Sequence, residues 1–183
     1  GFGRSGRMFT FEHYEVEPDM ICCGKGLSGG LPISAVLGNS RFMDLYKPGE
    51  MTSTHSGHPL CARAALTSLQ LIEEKGLVEN SRNMGLLLHE FLKKLWESNE
   101  DIISAVNGRG LLAAILFRRP TGEPDGEITM RVVDFCVRHG VMLYAPLGPG
   151  GGTVKINPPL VITEEPLREG LQVFADAVQA SRI

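Results

Sequence analysis

Clusters of glycine divide this chain into short apolar runs and longer amphipathic segments, and that division limits the folds open to it. Glycine provides 22 of the 183 residues, about 12%, against roughly 7% in an ordinary protein. Because the segments between the clusters have regular apolar spacing, the glycines indicate specialised loops on a folded scaffold and not a low-complexity tail. At this length the chain fits one average domain or two small ones with a buried core.

Composition and charge exclude several classes of protein. The longest aliphatic or aromatic run, Leu111 to Phe117, is far shorter than the roughly 18 residues of a membrane-spanning helix. The net charge of −3 and the lack of a Lys/Arg block predict no binding to nucleic acid or to an anionic membrane. The four cysteines have no CxxC spacing, which favours free thiols in a reducing cytoplasm over disulfides or a thiolate zinc site. No signal-peptide pattern opens the chain, and since it begins at Gly1 we expect it to be a piece of a longer protein.

The spacing of apolar residues predicts a mixed α/β fold in two blocks, residues 1–80 and residues 81–183. Met20 to Cys23 is predicted to be a buried strand, because Pro18-Asp19 precedes this apolar run and Gly24 stops it. Pro59 suits the first position of a helix that Gly76 would end. The other predicted elements are strands at Ile33 to Leu37, Leu111 to Phe117, Val141 to Tyr144 and Thr153 to Ile156, and helices at Arg41 to Tyr46, Leu77 to Trp96, Glu127 to His139 and from the N-cap Thr163 to Ala180.

The first six residues, Gly1 to Gly6, match the pattern GxGxxG. A dinucleotide site needs a strand before these glycines and a helix after them. The residues that follow, Arg7 to Phe11, do not resemble the start of an amphipathic helix. The pattern therefore does not predict a nicotinamide or flavin site.

Lys25 directly follows the first predicted strand, in the glycine-rich loop Gly24-Lys25-Gly26-Leu27-Ser28-Gly29-Gly30. The glycines permit a ligand to approach the backbone closely, and the loop is not a Walker loop because GxxxxGK[ST] is absent. A lysine among apolar and small residues would be partly desolvated, which favours the neutral amine that forms a Schiff base. The alternative is an ordinary solvated loop lysine, and this segment alone leaves both open.

Residues Thr52 to Pro59 place hydroxyl groups and a glycine just before the helix that is predicted to start at Pro59. The N–H groups at a helix N-terminus are suited to phosphate, although ordinary capping needs only one of these hydroxyls. His55, His58 and Cys61 form the spacing HxxHxxC. With Cys61 inside the helix and no fourth ligand nearby, this spacing predicts no metal site.

Lys155 lies on the predicted strand Thr153 to Ile156, just before Asn157-Pro158-Pro159-Leu160. A lysine on such a strand could bind an anionic substrate group as a point charge. It could equally be an exposed strand lysine without a role, and the segment alone leaves both open.

Taken together, these segments resemble the class III (ω-amino) aminotransferases, which are pyridoxal 5'-phosphate (PLP) enzymes of fold type I. The resemblance spans essentially the whole chain in the family's order, and its pieces are specific as a set. It implies that residues 1–80 are the C-terminal part of the PLP-binding large domain and that residues 81–183 are the small α/β domain. The matching stretches are Gly1 to Gly6 with Phe11 to Tyr14, Glu17-Pro18-Asp19, Gly24 to Leu27 with Gly30-Leu31-Pro32, Ser53 to Leu60, Gly108 to Leu111 and Asn157 to Leu160.

The resemblance implies roles for four residues. Lys25 would form the Schiff base with PLP and move the proton between its two carbons, in transamination of an ω-amino or related donor with a 2-oxo acid. Thr54, with Ser53 beside it, would bind the PLP phosphate, and Thr54 would do so from the neighbouring subunit of a homodimer with a shared active site. Lys155 falls where many members have an arginine that binds the substrate α-carboxylate. Since lysine cannot make a bidentate contact, the donor and the acceptor stay open.

One part of the family pattern would lie before Gly1, namely an Asp-Glu-Val-Gln-like segment whose aspartate pairs with the pyridine nitrogen of PLP. The resemblance therefore implies the C-terminal portion of such an enzyme, active within a complete chain and inactive as an isolated piece of 183 residues. Two alternatives stay open: a non-catalytic fragment, and a PLP enzyme of the same fold that racemises, decarboxylates or moves amino groups within one molecule.

Overall fold

The computed structural model describes residues 1–51 and 53–182, which form two compact units. The first unit contains Gly1–Gly3 and Arg7–Val78, and the second contains Arg4–Gly6 and the chain from Glu79 onward. The short segment Arg4–Gly6 therefore belongs to the second unit, although the residues on either side of it belong to the first. Among the described residues, no helix is long and apolar enough to cross a membrane.

The first unit is built around a two-stranded antiparallel sheet of β1 (Met20–Cys23) and β2 (Ala35–Gly38). Its core is small, with Cys23, Leu27 and Ala65 buried in one cluster. Partly buried apolar side chains pack around these three residues: Phe2, Phe9, Ile21, Ile33, Ala35 and Leu69.

Helical segments complete the first unit. Helix α2 (Pro59–Glu74) begins with a proline, whose missing N–H is tolerated at the first helical position. Gly76 follows the end of α2 with a φ of 59°, the left-handed conformation that commonly ends a helix. The shorter elements are 3-10 turns at Thr10–His13 and Lys25–Leu27 and helix α1 (Ser40–Met43).

The second unit combines three helices with a three-stranded antiparallel sheet in the order β3-β4-β5. All of these elements contribute to one continuous core, in which Leu92, Ile115, Val132 and Phe174 are 0 or 1% exposed. In chain order the elements are α3 (Leu77–Glu97), β3 (Ile103–Gly108), β4 (Ala113–Phe117), α4 (Gly126–Arg138), a 3-10 turn (Pro149–Gly151), β5 (Thr153–Ile156) and α5 (Glu164–Ala180).

The structure confirms the predicted α/β class and most of the predicted elements. Strands β1 and β5 have the predicted bounds, and helices α2 to α5 agree with the sequence within two residues at each end. Strands β2 and β4 each begin two residues later than predicted, and α1 ends three residues earlier. Thr163 is the N-cap of α5, although its side chain makes no capping hydrogen bond.

Two errors concern the strands of the second unit. The stretch Val141 to Tyr144 is not a strand. Its first N–H, that of Val141, donates to the Cys136 carbonyl at the end of α4, at 2.8 Å, and is not available for a ladder hydrogen bond. Strand β3 was not predicted, because only Ile103 of its six residues is buried and the strand lacks a regular alternation. Its register against β4 shifts between Ile103 and Ala105.

A third error concerns the burial of β1. The strand exists, but Met20 is 53% exposed and only Cys23 of its four residues is buried. An apolar run shows that a segment can be buried, and it does not specify what covers the segment.

Gly85 and Gly170 should respond in opposite ways to alanine. A Cβ on Gly85, in α3, would lie 2.4 Å from the Cα of Gly110, so Gly85→Ala forces two backbones apart and should lower the free energy of unfolding by about 1–3 kcal/mol. A Cβ on Gly170, in α5, would lie 3.9 Å from its nearest neighbour, Val141 Cγ2. Gly170→Ala should therefore stabilise the protein by about 0.5–1 kcal/mol through helix propensity.

Urea unfolding followed by the fluorescence of Trp96, the only tryptophan of the sequence, measures both effects, since Trp96 packs against the core of the second unit. A stabilising or neutral Gly85→Ala would contradict the close approach of α3 to Gly110.

Candidate functional site

Lys25 occupies a strained backbone position just after β1. Its φ is 50°, in the left-handed region that costs a non-glycine residue roughly 1–2 kcal/mol. The 3-10 turn Lys25–Leu27 maintains this conformation, since the Leu27 N–H donates to the Gly24 carbonyl at 3.1 Å and the Leu27 side chain is buried in one cluster with Ala65 of α2. Backbone strain of this kind concentrates at functional sites.

The Lys25 side chain is exposed within these 183 residues, where the sequence predicts a partly desolvated amine. The loop that follows has open space beside its backbone. A Cβ on Gly29 or Gly30, whose φ values are 71° and 151°, would meet no atom within 4 Å. The buried Ser28 hydroxyl closes the loop by donating to the Leu31 carbonyl. The amine is therefore accessible beside a loop that a ligand can approach.

Ser53 and Thr54 are exposed in the loop that leads into α2. The Ser53 carbonyl accepts hydrogen bonds from the Ser56 N–H at 3.0 Å and from the Ser56 hydroxyl at 2.8 Å, which folds the loop into a turn. His58, the N-cap of α2, makes no side-chain capping bond. Thr52, the first residue of the predicted hydroxyl segment, lies outside the described residues. The loop thus places exposed hydroxyls just before α2, whose N-terminal N–H groups donate no capping bond to the His58 side chain.

Lys155 lies on β5, at the edge of the sheet, opposite Ala114 of β4. Burial alternates along β5, so that Val154 and Ile156 are buried in the core while Lys155 is half-buried on the other face. The ammonium nitrogen of Lys155 is 4.2 Å from the centroid of the Tyr144 ring, within the roughly 6 Å of a cation–π contact. The fold therefore places this lysine against an aromatic ring.

Arg4 is a further polar residue of the second unit, and sequence analysis did not single it out. Its guanidinium donates to the carbonyl of Leu111, at 3.3 Å, and to the carbonyl of Pro158, just after β5. Its own carbonyl accepts from the Ser81 hydroxyl at 2.8 Å and from the Leu111 N–H at 3.0 Å. Burial lowers the pKa of the Arg4 guanidinium, and the electrostatic effect of Tyr144 acts in the opposite direction. Arg4 thus ties the segment Arg4–Gly6 to the end of β5 within the second unit.

The predicted site residues fall into two groups. The first unit contains Lys25, Ser53 and Thr54, and the second contains Lys155. The only signals for Arg4 and Tyr144 were a cation inside a glycine-rich motif and an aromatic residue two positions before a proline, and neither signal identifies a contact partner. In the part of the chain that the structure describes, no three His, Cys, Asp or Glu side chains lie close enough together to hold a metal ion.

Comparisons with known proteins agree on one family. The family model for class-III aminotransferases matches residues 1–178. The mitochondrial ornithine aminotransferase of Rattus norvegicus is 38% identical over 175 residues, which are 95% of this chain and 38% of that protein. The alanine/serine racemase of Pyrococcus horikoshii is 34% identical over 179 residues, 98% of this chain and 37% of that protein. The chain therefore spans about two fifths of the length of these relatives.

The fold is similar to that of solved aminotransferases. The ornithine aminotransferase of Toxoplasma gondii, crystallized in the presence of oxidized glutathione, has PLP at partial occupancy in its active site. It matches this structure with a TM-score of 0.88 and 31% sequence identity, over 99% of this chain and 41% of that one. This likeness confirms the predicted fold, that of the PLP-dependent aminotransferases.

Replacing Arg4 by methionine should destabilise the second unit by about 1.5–3 kcal/mol, because two carbonyls lose a charged hydrogen-bond donor. Arg7→Met is the matched control, since Arg7 is exposed and its loss should change stability by less than about 0.5 kcal/mol. Urea unfolding followed by Trp96 fluorescence gives both free energies. Equal values for the two variants would contradict the anchoring role of Arg4.

Proposed function

The chain belongs to the class-III aminotransferase family, and we propose that it serves, within its complete enzyme, the PLP-dependent transfer of an amino group from an ω-amino or related donor to a 2-oxo acid. The position of Lys25 carries this proposal. Its amine is exposed, its backbone is strained between two glycines, and it lies two residues after the end of β1. An accessible primary amine held in this way is the group that an aldehyde cofactor needs.

The residues present are suited to PLP, which has an aldehyde and a phosphate. Lys25 offers the amine for covalent attachment, and Ser53 and Thr54 offer exposed hydroxyls for the phosphate. When bound, PLP supplies an electron sink for negative charge at the reacting carbon of the substrate. We assign Thr54 to the active site of a partner subunit in a homodimer, and its exposure in this chain is consistent with that role.

The two lysines have different tasks in this proposal. Lys25 Nζ takes the proton from one reacting carbon and returns it to the other, as a general base and then a general acid. Lys155 Nζ binds one oxygen of the substrate carboxylate as a point charge and thereby orients the substrate. Lysine lacks the two parallel donors of arginine, so this contact does not fix the plane of the carboxylate.

The proposed organisation follows the two units. We assign residues 1–80 to the C-terminal part of the PLP-binding large domain and residues 81–183 to the small domain, supported by a boundary between the units after Val78. The chain spans about two fifths of its relatives, so we assign activity to the complete enzyme and expect none from the 183 residues alone. Four free cysteines are consistent with a reducing compartment such as the cytoplasm.

Racemisation is the second candidate function, favoured by the similarity to the alanine/serine racemase. In a racemase the proton returns to the carbon that it left, on the opposite face, and the amino group stays on its substrate. Lys25 would have the same position in both reactions, so the choice between them depends on the substrate and not on this residue.

The proposed role of Lys25 can be tested by borohydride reduction of the complete enzyme in the presence of PLP. The wild-type enzyme should gain the cofactor mass on the peptide that contains Lys25. Lys25→Arg should lack that adduct, and amino transfer should fall by about 10²–10⁴-fold, because an arginine that stays protonated cannot act as the base. Lys75→Arg, an exposed lysine at the end of α2, is the matched control and should retain both properties. An adduct on a lysine other than Lys25 would contradict the assignment of Lys25 as the cofactor-binding lysine.

The need for an acceptor distinguishes transamination from racemisation. We expect a single chiral amino donor to keep its configuration without a 2-oxo acid and to lose its amino group in stoichiometric amounts when the acceptor is added. Chiral chromatography of the donor measures both outcomes. Inversion of the donor at constant total concentration, without any acceptor, would favour the racemase.

A further inference from the structure

We propose that Tyr144 is a positioning residue for the carboxylate subsite, because its ring holds the Lys155 ammonium at one place in the second unit. The inference rests on the carboxylate-binding role proposed above for Lys155. The observation behind it is the distance of 4.2 Å between Lys155 Nζ and the centroid of the Tyr144 ring.

The stretch that contains Tyr144 is fixed at both ends, although it is not a strand. At one end the Val141 N–H donates to the Cys136 carbonyl at 2.8 Å. At the other end Leu147 and Thr153 exchange two backbone hydrogen bonds, at 2.9 and 3.0 Å. Tyr144 therefore lies three residues from a hydrogen-bonded backbone position on either side.

Lys155 is the cation that this region leaves available for a ligand. The Arg4 guanidinium, the other cation near the end of β5, is already bound to the carbonyls of Leu111 and Pro158. Among the described residues, no carboxylate forms an ion pair with Lys155. The Tyr144 ring attracts the ammonium without neutralising it, so the positive charge of Lys155 stays available.

The Tyr144 ring restricts the side-chain rotamers of Lys155 before the substrate binds. A free lysine loses rotamer entropy when it binds an anion, and a side chain that is already restricted loses less. A cation–π contact at a partly exposed site corresponds to roughly a two- to fivefold change in a binding constant. Tyr144 is 56% exposed, so its contact with Lys155 is a cation–π contact at a partly exposed site. The effect is confined to ligands that carry a carboxylate for Lys155 to bind.

The test compares Tyr144→Leu with Tyr144→Phe in the complete, PLP-loaded enzyme. The probe is glutarate, a dicarboxylate without an amino or oxo group, titrated by calorimetry. We expect the Kd of glutarate to rise roughly two- to fivefold in Tyr144→Leu, which removes the ring. It should be unchanged in Tyr144→Phe, which keeps the ring, and in the matched control Met142→Leu, at a residue of the same stretch that is 92% exposed. In turnover, KM for a carboxylate-bearing donor should rise by the same factor with kcat unchanged, since the contact is equal in ground and transition states.

Lys155→Met separates failure of this inference from failure of the proposed function. If the Kd of glutarate rises in Lys155→Met but equals the wild-type value in Tyr144→Leu, the role of Tyr144 is overturned and that of Lys155 is left intact. Equal weakening in Tyr144→Leu and Tyr144→Phe would place the effect on the hydroxyl and overturn the role of the ring. A normal Kd in Lys155→Met would overturn the carboxylate-binding role itself.

A spectroscopic measurement follows the contact without any ligand. In selectively lysine-labelled enzyme, the Lys155 ε-methylene protons should have an upfield ring-current shift in the wild type and in Tyr144→Phe, and this shift should be lost in Tyr144→Leu. Identical chemical shifts in all three proteins would overturn the inference.

Discussion

In the second unit, backbone segments approach one another so closely that only glycine fits between them, and the position of Arg4 depends on this contact. A Cβ on Gly85 would lie 2.4 Å from the Cα of Gly110, and a Cβ on Gly110 would lie 2.5 Å from the carbonyl carbon of Ser5. Helix α3, the turn before β4 and the segment Arg4–Gly6 are thus stacked at backbone distance. At this distance the Arg4 carbonyl can accept hydrogen bonds from both neighbouring segments, and the guanidinium can reach the carbonyl of Pro158 after β5. The glycine-rich segment Arg4–Gly6 therefore has a packing function in the second unit.

The two units differ in how much core supports their functional residues. The second unit buries a continuous cluster drawn from three helices and three strands, whereas the first has a small cluster around Cys23, Leu27 and Ala65. The strained φ of Lys25 depends on that small cluster, since Leu27 at the end of the same turn is one of its members. Within the residues that the structure describes, the turn of Lys25 thus rests on a smaller buried cluster than β5 and Lys155 do.

Sequence pattern predicts the parts of this fold whose signals are local. The amphipathic helices α2 to α5 and the alternating strand β5 are of this kind, and so is the short run of β1 before the loop of Lys25. Exposure of Lys25 was not predictable from its neighbours in sequence, because what covers a loop is decided by distant segments. The anchoring of Arg4 is even less local, since 154 residues separate it from Pro158. The candidate site was therefore predictable as a set of chemical groups, and the contacts that position them were not.

The run Val141 to Tyr144, which was predicted to be a strand and is not one, ends at the ring that contacts Lys155. Strand β5 is at the edge of the sheet, so the apolar run from Val141 to Tyr144 could in principle have paired with it. Had it done so, the alternation of the strand would have fixed which of its side chains shared a face with Lys155. Instead the run makes no ladder hydrogen bonds, and the backbone pairs with β5 at Leu147, through its bridge to Thr153. Tyr144 is thereby free of the strand pleat and can place its ring against the ammonium of Lys155. Failures of local pattern are expected where a fold serves function, and here the failure lets the ring reach the lysine.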